Sequence, residues 1–299
     1  MSVRACRRRH SKSNSPSLLN RRLLAIRPGG VGDCILSFPA IESLRARCDY
    51  LEVWVPHALV PLVHFADRVR AISSTGLDLM GIPGIDPPAG LMRDFDAIVS
   101  WYGGNRDEFR HATAHLPMEF HSALPPAECS VHAVDFFCRQ LGTPTKIPRI
   151  DVQAAGRDFI AIHPFSGSAR KNWPLDQFDA VAHALGNPVE WCATSEQVLA
   201  DRRPILVEED LGKVAQWLAS ARLYIGNDCG ITHLAAAVGT PVIALFQASD
   251  PRVWAPRGDN VVIVESATVH SVLAAARLKL SPTKTQSTST TKIQPPSTP

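Results

Sequence analysis

The sequence predicts an α/β protein built from two doubly wound domains that face each other across a cleft. Short, nearly continuous apolar runs alternate with amphipathic stretches, and 45% of the 299 residues are hydrophobic. Apolar runs of this kind are typical of parallel strands that helices cover on both faces. A stretch rich in proline, glycine and polar residues divides the runs into two groups, which predicts a linker over residues 143–158.

The apolar runs predict the strands in order. The first group comprises LLAI (23–26), LEVWV (51–55) and DAIVSWY (96–102), and the second comprises FIAIH (159–163), VEWCA (189–193), LYIGN (223–227), PVIALF (241–246) and VVIVE (261–265). We therefore predict an N-terminal domain over residues 23–142 and a C-terminal domain over residues 159–280.

Capping residues mark helices between these strands. One predicted helix opens with Pro174 and stops at Gly186, which places proline in the first turn and glycine after the last. Another follows Asp228 and ends where Gly239 and Pro241 interrupt it. In doubly wound domains ligands bind outside the carboxyl ends of the strands, so we expect the binding site in the cleft between the two sheets.

The two ends of the chain differ in composition from its body. Residues 1–22 hold seven Arg or Lys and no acidic residue, and residues 281–299 form a low-complexity Ser, Thr and Pro segment with two Lys. Both are predicted to be disordered tails. Subtracting these nine positive charges from the net charge of +3 leaves about −6 for residues 23–280, which gives no indication of nucleic-acid binding.

Cysteine usage and hydropathy indicate the compartment. The seven cysteines are scattered with no pair two residues apart, and the N-terminal segment lacks the apolar run of an export signal. Free thiols in a reducing cytoplasm are therefore expected. No run approaches the roughly 18 to 20 apolar residues of a membrane span. The basic tail is either solvated or attracted to anionic headgroups, which leaves peripheral contact with the inner membrane open.

No metal site is predicted. Asp94-Phe95-Asp96 is a D-x-D pattern, which binds metal in many enzymes, but it precedes its strand and would lie at the edge of the sheet away from the cleft. The eleven histidines show no H-E-x-x-H or comparable ligand spacing.

A loop after the predicted strand 159–163 carries groups that suit an anionic ligand. Ser166, Gly167 and Ser168 permit close approach of the backbone, and the serine hydroxyls can donate to phosphate oxygens. Lys171 adds a positive charge a few residues later. The alternative interpretation is a solvated surface loop that happens to contain basic residues.

The segment NDCGITHLAAAVGTP (227–241) is a second candidate at the same sheet edge. A strand ends, a tight turn follows and a helix begins, so the free N–H groups of the first helical turn can bind phosphate. The alternative is that Asp228 is an N-cap and His233 a packed histidine. Because both loops follow strands of one sheet, we expect them to share one ligand of about diphosphate size.

The glycine-rich stretch LLAIRPGGVGDCILSFPAI (23–41) suits a different partner. The dinucleotide fingerprint G-x-G-x-x-G fails here, because Ile35 stands where the third glycine is required after Gly30 and Gly32. Asp33 at a helix start would also repel a pyrophosphate. A neutral hydroxyl group is therefore the better partner, and this role is compatible with the alternative that Asp33 caps the helix.

Three segments together resemble the ADP-heptose:lipopolysaccharide heptosyltransferases, glycosyltransferase family 9. They are IRPGGVGDCILSFPAI, IAIHPFSGSARKNWPLDQF and YIGNDCGITHLAAAVGTPVIALFQASDPRVWAP, which occur in the expected order and spacing across residues 23–258. The resemblance implies a GT-B fold of two Rossmann-like domains, the first binding mainly the acceptor and the second mainly a nucleotide sugar. It also implies a metal-independent transfer that inverts the anomeric centre, with the nucleotide sugar as a substrate and no separate cofactor.

The resemblance also implies roles for individual residues. Asp33 matches the family's catalytic base, and the loop with Gly29, Gly30 and Gly32 would face the acceptor. The residues that match the donor and diphosphate motifs are Ser166, Gly167, Ser168, Lys171, Asp228, Cys229, Gly230, Ile231 and His233. Glu196 is either the acid that binds the nucleotide ribose or a solvated residue at a helix start.

The expected function is transfer of a sugar, by family default heptose from ADP-heptose, onto a lipopolysaccharide core or another surface glycan. The family usually has Ser or Thr where Cys229 stands, so a weaker thiol donor replaces a hydroxyl here. This departure motivates one alternative, a catalytically degenerate module that binds nucleotide sugar or glycan. A nucleotide-sugar epimerase with the GT-B fold is the other.

Overall fold

A computed structural model describes residues 21–80, 82, 89–193 and 205–281. The predictions of disorder for the two tails concern residues that lie almost entirely outside this part of the chain, and Glu196 lies outside it as well. Within the described residues no helix is both long enough and apolar enough to cross a bilayer.

The first sheet has five strands in the described part of the chain, in the order β3-β2-β1-β4-β5, and neighbouring strands are parallel. Its strands are β1 (Arg22–Ile26), β2 (Tyr50–Val55), β3 (Arg68–Ala71), β4 (Ala97–Ser100) and β5 (Met118–Phe120). The α-helices of this half are α1 (Val31–Glu42), α2 (Asp107–Ala112) and α3 (Ala133–Gln140). The three predicted strands form the centre of this sheet, β2, β1 and β4.

The second sheet has six parallel strands in the described residues, in the order β11-β10-β9-β6-β7-β8. Its strands are β6 (Ile160–His163), β7 (Val189–Ala193), β8 (Ile205–Val207), β9 (Leu223–Asn227), β10 (Val242–Phe246) and β11 (Val261–Glu265). Its helices are α4 (Leu175–Leu185), α5 (Leu211–Ala219), α6 (Gly230–Ala237), α7 (Pro251–Trp254) and α8 (Val269–Leu280). Two parallel α/β domains confirm the predicted fold class.

The strand order of the second sheet indicates where a ligand-binding crevice is expected. Strands β7 and β8 extend the sheet from β6 in one direction, whereas β10 and β11 extend it from β9 in the other. The order therefore reverses between β6 and β9, which pair directly, with His163 opposite Gly226. Loops that follow the two strands at such a reversal diverge and leave a crevice between them. The two predicted anion-binding loops are the loops after β6 and β9.

One apolar core joins the two domains behind the cleft. Helix α1 packs against α6, and Ile35 and Phe38 of α1 belong to the same buried cluster as Leu234 of α6. At the margin of this interface Arg257 donates two hydrogen bonds, of 2.8 and 2.6 Å, to the carboxylate of Asp135 in α3. The α1–α6 contact brings the glycine-rich loop against the start of α6, and this contact builds the site.

Candidate active site

A cleft of about 610 Å³ lies between the glycine-rich loop of the first domain and the loops after β6 and β9 of the second. Its lining includes the predicted residues Gly30, Gly32, Asp33, Ser166, Gly167, Ser168, Lys171, Asp228, Cys229, Gly230, Ile231 and His233. Gly29 does not line the cleft, but it directly precedes the lining residue Gly30. The structure thus brings together residues from three distant segments, while the roles assigned to them remain predictions.

The glycine-rich loop delivers Asp33 to the cleft. Gly29 has φ of +120°, a conformation that other residues rarely adopt, and Gly30 is the N-cap residue of α1. Asp33 lies in the first turn of that helix and is half-buried. Its carboxylate has no hydrogen-bond or ion-pair partner among the described residues, so it does not serve as a helix cap. It is an unengaged carboxylate at the wall of the cleft.

A buried arginine holds this loop in place. Arg27, directly after β1, is 1% exposed. Its guanidinium donates to the backbone oxygens of Pro28 at 2.7 Å and Asp33 at 2.9 Å and to Oγ of Ser37 at 2.9 Å. The same group lies over the Phe137 ring of α3, 4.7 Å from its centroid. Desolvation lowers the pKa of Arg27. The contacts of its guanidinium hold the backbone of the loop in place below Asp33.

Two glycines allow the N-terminal turns of α1 and α6 to approach each other closely. A Cβ on Gly32 would lie 2.7 Å from Cδ2 of His233, and a Cβ on Gly230 would lie 2.6 Å from Cβ of Val31. Such distances are shorter than van der Waals contact, so no larger residue fits without a shift. The close approach sets the position of Asp33 relative to the N-terminus of α6.

Replacing Gly32 with alanine should therefore destabilise the protein by about 1–3 kcal/mol, because the added methyl group must displace the buried His233 ring or separate the two helices. Gly30→Ala is the matched control: Gly30 has φ of −69° and its Cβ would meet only Asp33 Oδ2, at 3.5 Å. We expect the control to stay within about 0.5 kcal/mol of the wild type. Denaturant unfolding of both variants measures the difference, and equal stabilities would contradict the close-contact argument.

Lys171 and Asp228 form the charged centre of the second domain's side. Lys171 Nζ donates to Asp228 Oδ2 at 2.7 Å, and Oγ of Ser249 donates to the same oxygen. The Nε2 atom of His233 lies 3.8 Å from Oδ1. Burial favours the neutral carboxyl, but the neighbouring His233 ring and the hydrogen bonds from Lys171 and Ser249 outweigh it and lower the pKa of Asp228 to about 2. Asp228 is therefore ionised and forms an ion pair with Lys171.

The start of α6 offers backbone donors beside this pair. Cys229, and not Asp228, is the N-cap residue, and no side chain caps the helix. The N–H groups of the first turn, from Gly230 and Ile231, therefore remain available at the cleft wall. His233 is 5% exposed, and its Nδ1 has no hydrogen-bond partner among the described residues. The site thus combines a helix N-terminus, a lysine and a buried imidazole.

In the loop after β6, the hydroxyl group of Ser166 hydrogen-bonds to other groups of the same loop. Oγ of Ser166 lies 2.8 Å from the backbone oxygen of Ser168 and 2.7 Å from Oδ1 of Asn172, and it accepts from the Ser168 N–H at 3.3 Å. Ser166 therefore shapes the loop. A Cβ atom added to Gly167 would have no other atom within 4 Å, so this part of the loop is open toward the cleft.

Four residues of the site were not anticipated from the sequence. Val31, His163 and Trp254 line the cleft, and Ser249 bonds to Asp228. His163 is the last residue of β6, so the rule that strand ends carry function could have identified it. Trp254 and Ser249 lie after β10 and reach the cleft only through the tertiary fold. No group of three or more potential metal ligands occurs among the residues that the structure describes.

A second cavity, of about 490 Å³, lies in the first domain beyond the carboxyl ends of β4 and β5. Trp101, Phe120 and the exposed Arg110 contribute to its walls. The guanidinium of Arg110 lies 5.1 Å from the centroid of the Phe120 ring. This second cavity opens on the same sheet edge as the loop that carries Asp33, because β1 and β4 are parallel neighbours.

The sequence is similar to proteins of one glycosyltransferase family. Residues 125–277 match the model of glycosyltransferase family 9 (heptosyltransferase). Lipopolysaccharide heptosyltransferase 3 of Escherichia coli is 29% identical over 129 residues, 38% of this chain and 38% of that protein. Lipopolysaccharide heptosyltransferase 1 of Salmonella typhimurium is 29% identical over 102 residues, 30% of this chain and 32% of that protein. The matches thus span well under half the length of these curated relatives.

Solved structures resemble the chain over a longer span. E. coli ADP-heptose lps heptosyltransferase II superposes with a TM-score of 0.70 at 16% identity, covering 86% of this chain and 98% of its own. A glycosyl transferase family 9 protein from Veillonella parvula DSM 2008 gives 0.71 at 16% identity, covering 87% and 97%. These likenesses confirm the GT-B fold. Because the family model covers half of the sequence, the chain belongs to glycosyltransferase family 9, the heptosyltransferase family.

Proposed function

We propose that the chain is a glycosyltransferase that moves a sugar from a nucleotide diphosphate donor onto a lipopolysaccharide core or another surface glycan. One observation carries the proposal: an unengaged carboxylate, Asp33, shares a cleft with Lys171, His233 and the free N–H groups at the start of α6. A base on one wall and an anion site on the other are what a direct displacement requires. Membership of glycosyltransferase family 9 supports the reaction class.

The geometry supports an inverting mechanism. In it the acceptor hydroxyl approaches from the side of Asp33 and attacks the anomeric carbon on the face opposite the leaving diphosphate. The Asp33 carboxylate removes the hydroxyl proton as the new bond forms. Lys171, His233 and the N–H groups at the start of α6 stabilise the charge that develops on the diphosphate. These groups supply that stabilisation without a metal ion, so we propose a metal-independent transfer.

We propose an ADP-linked sugar as the donor, by default ADP-heptose. One similar solved structure, at TM-score 0.64 and 16% identity, is described as E. coli heptosyltransferase WaaC with ADP. In the proposed function the nucleotide sugar is a substrate, and no resident cofactor is needed. The ribose role of Glu196 remains part of this proposal, since that residue lies outside the described part of the chain.

We place the acceptor on the first domain. The second cavity, with aromatic walls and Arg110, opens on the same sheet edge as Asp33 and suits a sugar ring that carries negative charge. A lipid-linked acceptor would be met at the inner face of the membrane. We therefore propose a cytoplasmic enzyme, with the basic residues 1–22 available for peripheral contact with anionic lipids.

Nucleotide binding tests the donor site directly. We expect calorimetry with ADP, UDP, GDP and CMP to show preferential binding of ADP that EDTA does not reduce. Loss of binding in EDTA would contradict the metal-free site. No binding by any nucleotide to the folded protein would instead favour the non-catalytic module that Cys229 motivates. With a bound donor in hand, product analysis with and without acceptor separates a transferase from an epimerase.

A further inference from the structure

One short segment of the second domain joins the donor side of the cleft to the first domain. Residues 249–257, hereafter the cleft segment, follow β10 and include helix α7. At the start of the segment, Oγ of Ser249 donates to the carboxylate of Asp228, which is the partner of Lys171. Near its end, Trp254 lines the cleft. The transfer described above gives Trp254 no role.

Trp254 differs from the other five tryptophans of the chain. Those five are at most 8% exposed, whereas Trp254 is only half-buried. Four of the five donate the indole N–H to an oxygen atom at 2.8 to 3.0 Å, namely Trp54, Trp101, Trp173 and Trp217. The N–H of Trp254 has no hydrogen-bond partner among the described residues and is not sealed from solvent. Trp254 therefore offers a ligand both an aromatic surface and a free donor.

The first domain holds the cleft segment through the start of α3. His132, the N-cap residue of α3, accepts the N–H of Val134 at Nδ1, at 3.2 Å, and its Nε2 lies 2.8 Å from the backbone oxygen of Ala255. A carbonyl oxygen only accepts hydrogen bonds, so Nε2 carries the proton, and one neutral tautomer makes both bonds. This bond fixes the backbone directly after Trp254.

A second link to α3 lies two residues further along the segment. Arg257 donates two hydrogen bonds to the carboxylate of Asp135, which also accepts from Oγ1 of Thr145 at 2.7 Å. A bidentate pair of arginine and carboxylate fixes orientation as well as distance. Positions 255 and 257 are both tied to α3, so the place of Trp254 in the cleft depends on the other domain.

The chemistry of Trp254 suits a sugar ring. The C–H groups on the face of a sugar ring pack against an aromatic surface, and its hydroxyl groups accept hydrogen bonds from an indole N–H. Trp254 shares the cleft with Lys171 and Asp33, between which the transferred sugar lies in the proposed function. The cleft segment belongs to the domain of Lys171, which favours the sugar of the donor over that of the acceptor.

We propose that Trp254 binds the transferred sugar of the nucleotide-sugar donor, and that His132 and Asp135 are positioning residues that hold Trp254 in place from the first domain. This inference rests on the proposed function. ADP lacks the transferred sugar, so Trp254 distinguishes a nucleotide sugar from the free nucleotide diphosphate.

Calorimetry with ADP and with ADP-heptose tests the role of Trp254. We expect Trp254→Leu to weaken the binding of ADP-heptose by about tenfold and that of ADP by no more than about twofold. Trp254→Phe keeps an aromatic surface and should lose less than Trp254→Leu. Equal losses for the two ligands, a loss for neither, or an effect confined to the KM of the acceptor would overturn the role of Trp254 alone. If the wild type binds neither ligand, the proposed function fails and this inference fails with it.

Variants of α3 test the two links. His132→Ala and Asp135→Asn should each weaken the binding of ADP-heptose by at least about threefold with ADP binding kept, and neither should add to the loss in Trp254→Leu. Asp259→Asn is the matched control, because it removes an exposed ion pair with Arg149, at 3.3 Å, that does not involve α3. We expect the control to stay within about twofold of the wild type. Losses that add to that of Trp254→Leu, or that affect ADP equally, would overturn the positioning role.

The wild-type protein gives a test that needs no variant. Because the other five tryptophans are buried, quenching of tryptophan fluorescence by acrylamide reports mainly on Trp254. ADP-heptose should roughly halve the quenching constant, since a ligand enclosed by a cleft covers most of the surface that it contacts, and ADP should leave it nearly unchanged. Equal protection by the two ligands, or protection by neither at saturation, would overturn the proposal even if the variants fail to fold.

Discussion

Asp33→Asn should reduce the rate of sugar transfer by about 10²- to 10⁴-fold while leaving ADP binding unchanged. Asparagine keeps the shape of the side chain but cannot accept a proton from the acceptor hydroxyl. The carboxylate has no structural partner among the described residues, so its replacement removes no hydrogen bond that holds the loop. The measurement is the rate of nucleotide diphosphate release with the donor identified by the binding screen, together with ADP calorimetry.

The matched control is Asp176→Asn. Asp176 also lies in the first turn of a helix, α4, but it is exposed and does not line the cleft. We expect its turnover to remain within about twofold of the wild type, as is usual for surface substitutions. Wild-type turnover in Asp33→Asn would exclude Asp33 as the base. Loss of both turnover and ADP affinity would indicate a collapse of the cleft instead of the loss of a proton acceptor.

Lys171→Met should weaken ADP binding by at least about 30-fold, which corresponds to about 2 kcal/mol. The substitution removes one attraction for the diphosphate and also leaves the carboxylate of Asp228, which is 4% exposed, without its lysine next to the ligand. Repulsion by that carboxylate is the larger part of the expected effect, because truncating one partner of a buried charge pair leaves the other uncompensated. Calorimetric titration with ADP measures the loss.

Two further variants separate attraction from repulsion. Adding Asp228→Asn to Lys171→Met removes the unpaired charge, so the double variant should recover about tenfold of the lost affinity. Arg170→Met controls for the loss of one positive charge: Arg170 is the exposed neighbour of Lys171 and does not line the cleft. We expect it to change the affinity by no more than about threefold. If Arg170→Met and Lys171→Met lost equal affinity for ADP, the effect would depend on net charge alone and not on the position of Lys171.

The central strands and the capped helices followed from local pattern. The predicted runs at 23–26, 51–55, 159–163, 223–227 and 241–246 all correspond to buried strands, because a strand covered on both faces must be apolar throughout. The short edge strands β3, β5 and β8 were not anticipated. Each has three or four residues, and the RVRA sequence of β3 is half exposed, so no apolar run marks it.

The position of each loop was also predictable, since a loop that follows a parallel strand lies at the carboxyl edge of its sheet. Asp33 after the glycines, Lys171 after the serine loop and the free helix start at Gly230 all reach one cleft, as the strand-end rule predicts. The rule says which edge of a sheet a loop occupies. It says nothing about which side chains touch.

The sequence by itself determined the fold class, the family and the segments that form the site, because these depend on hydrophobic periodicity and on motifs of consecutive residues. Only the tertiary structure decided how the segments meet. It paired Lys171 with Asp228 and set Gly32 against His233. Such pairings arise where α1 packs on α6 and β6 pairs with β9, and the packing of whole elements, not any local pattern, sets those distances.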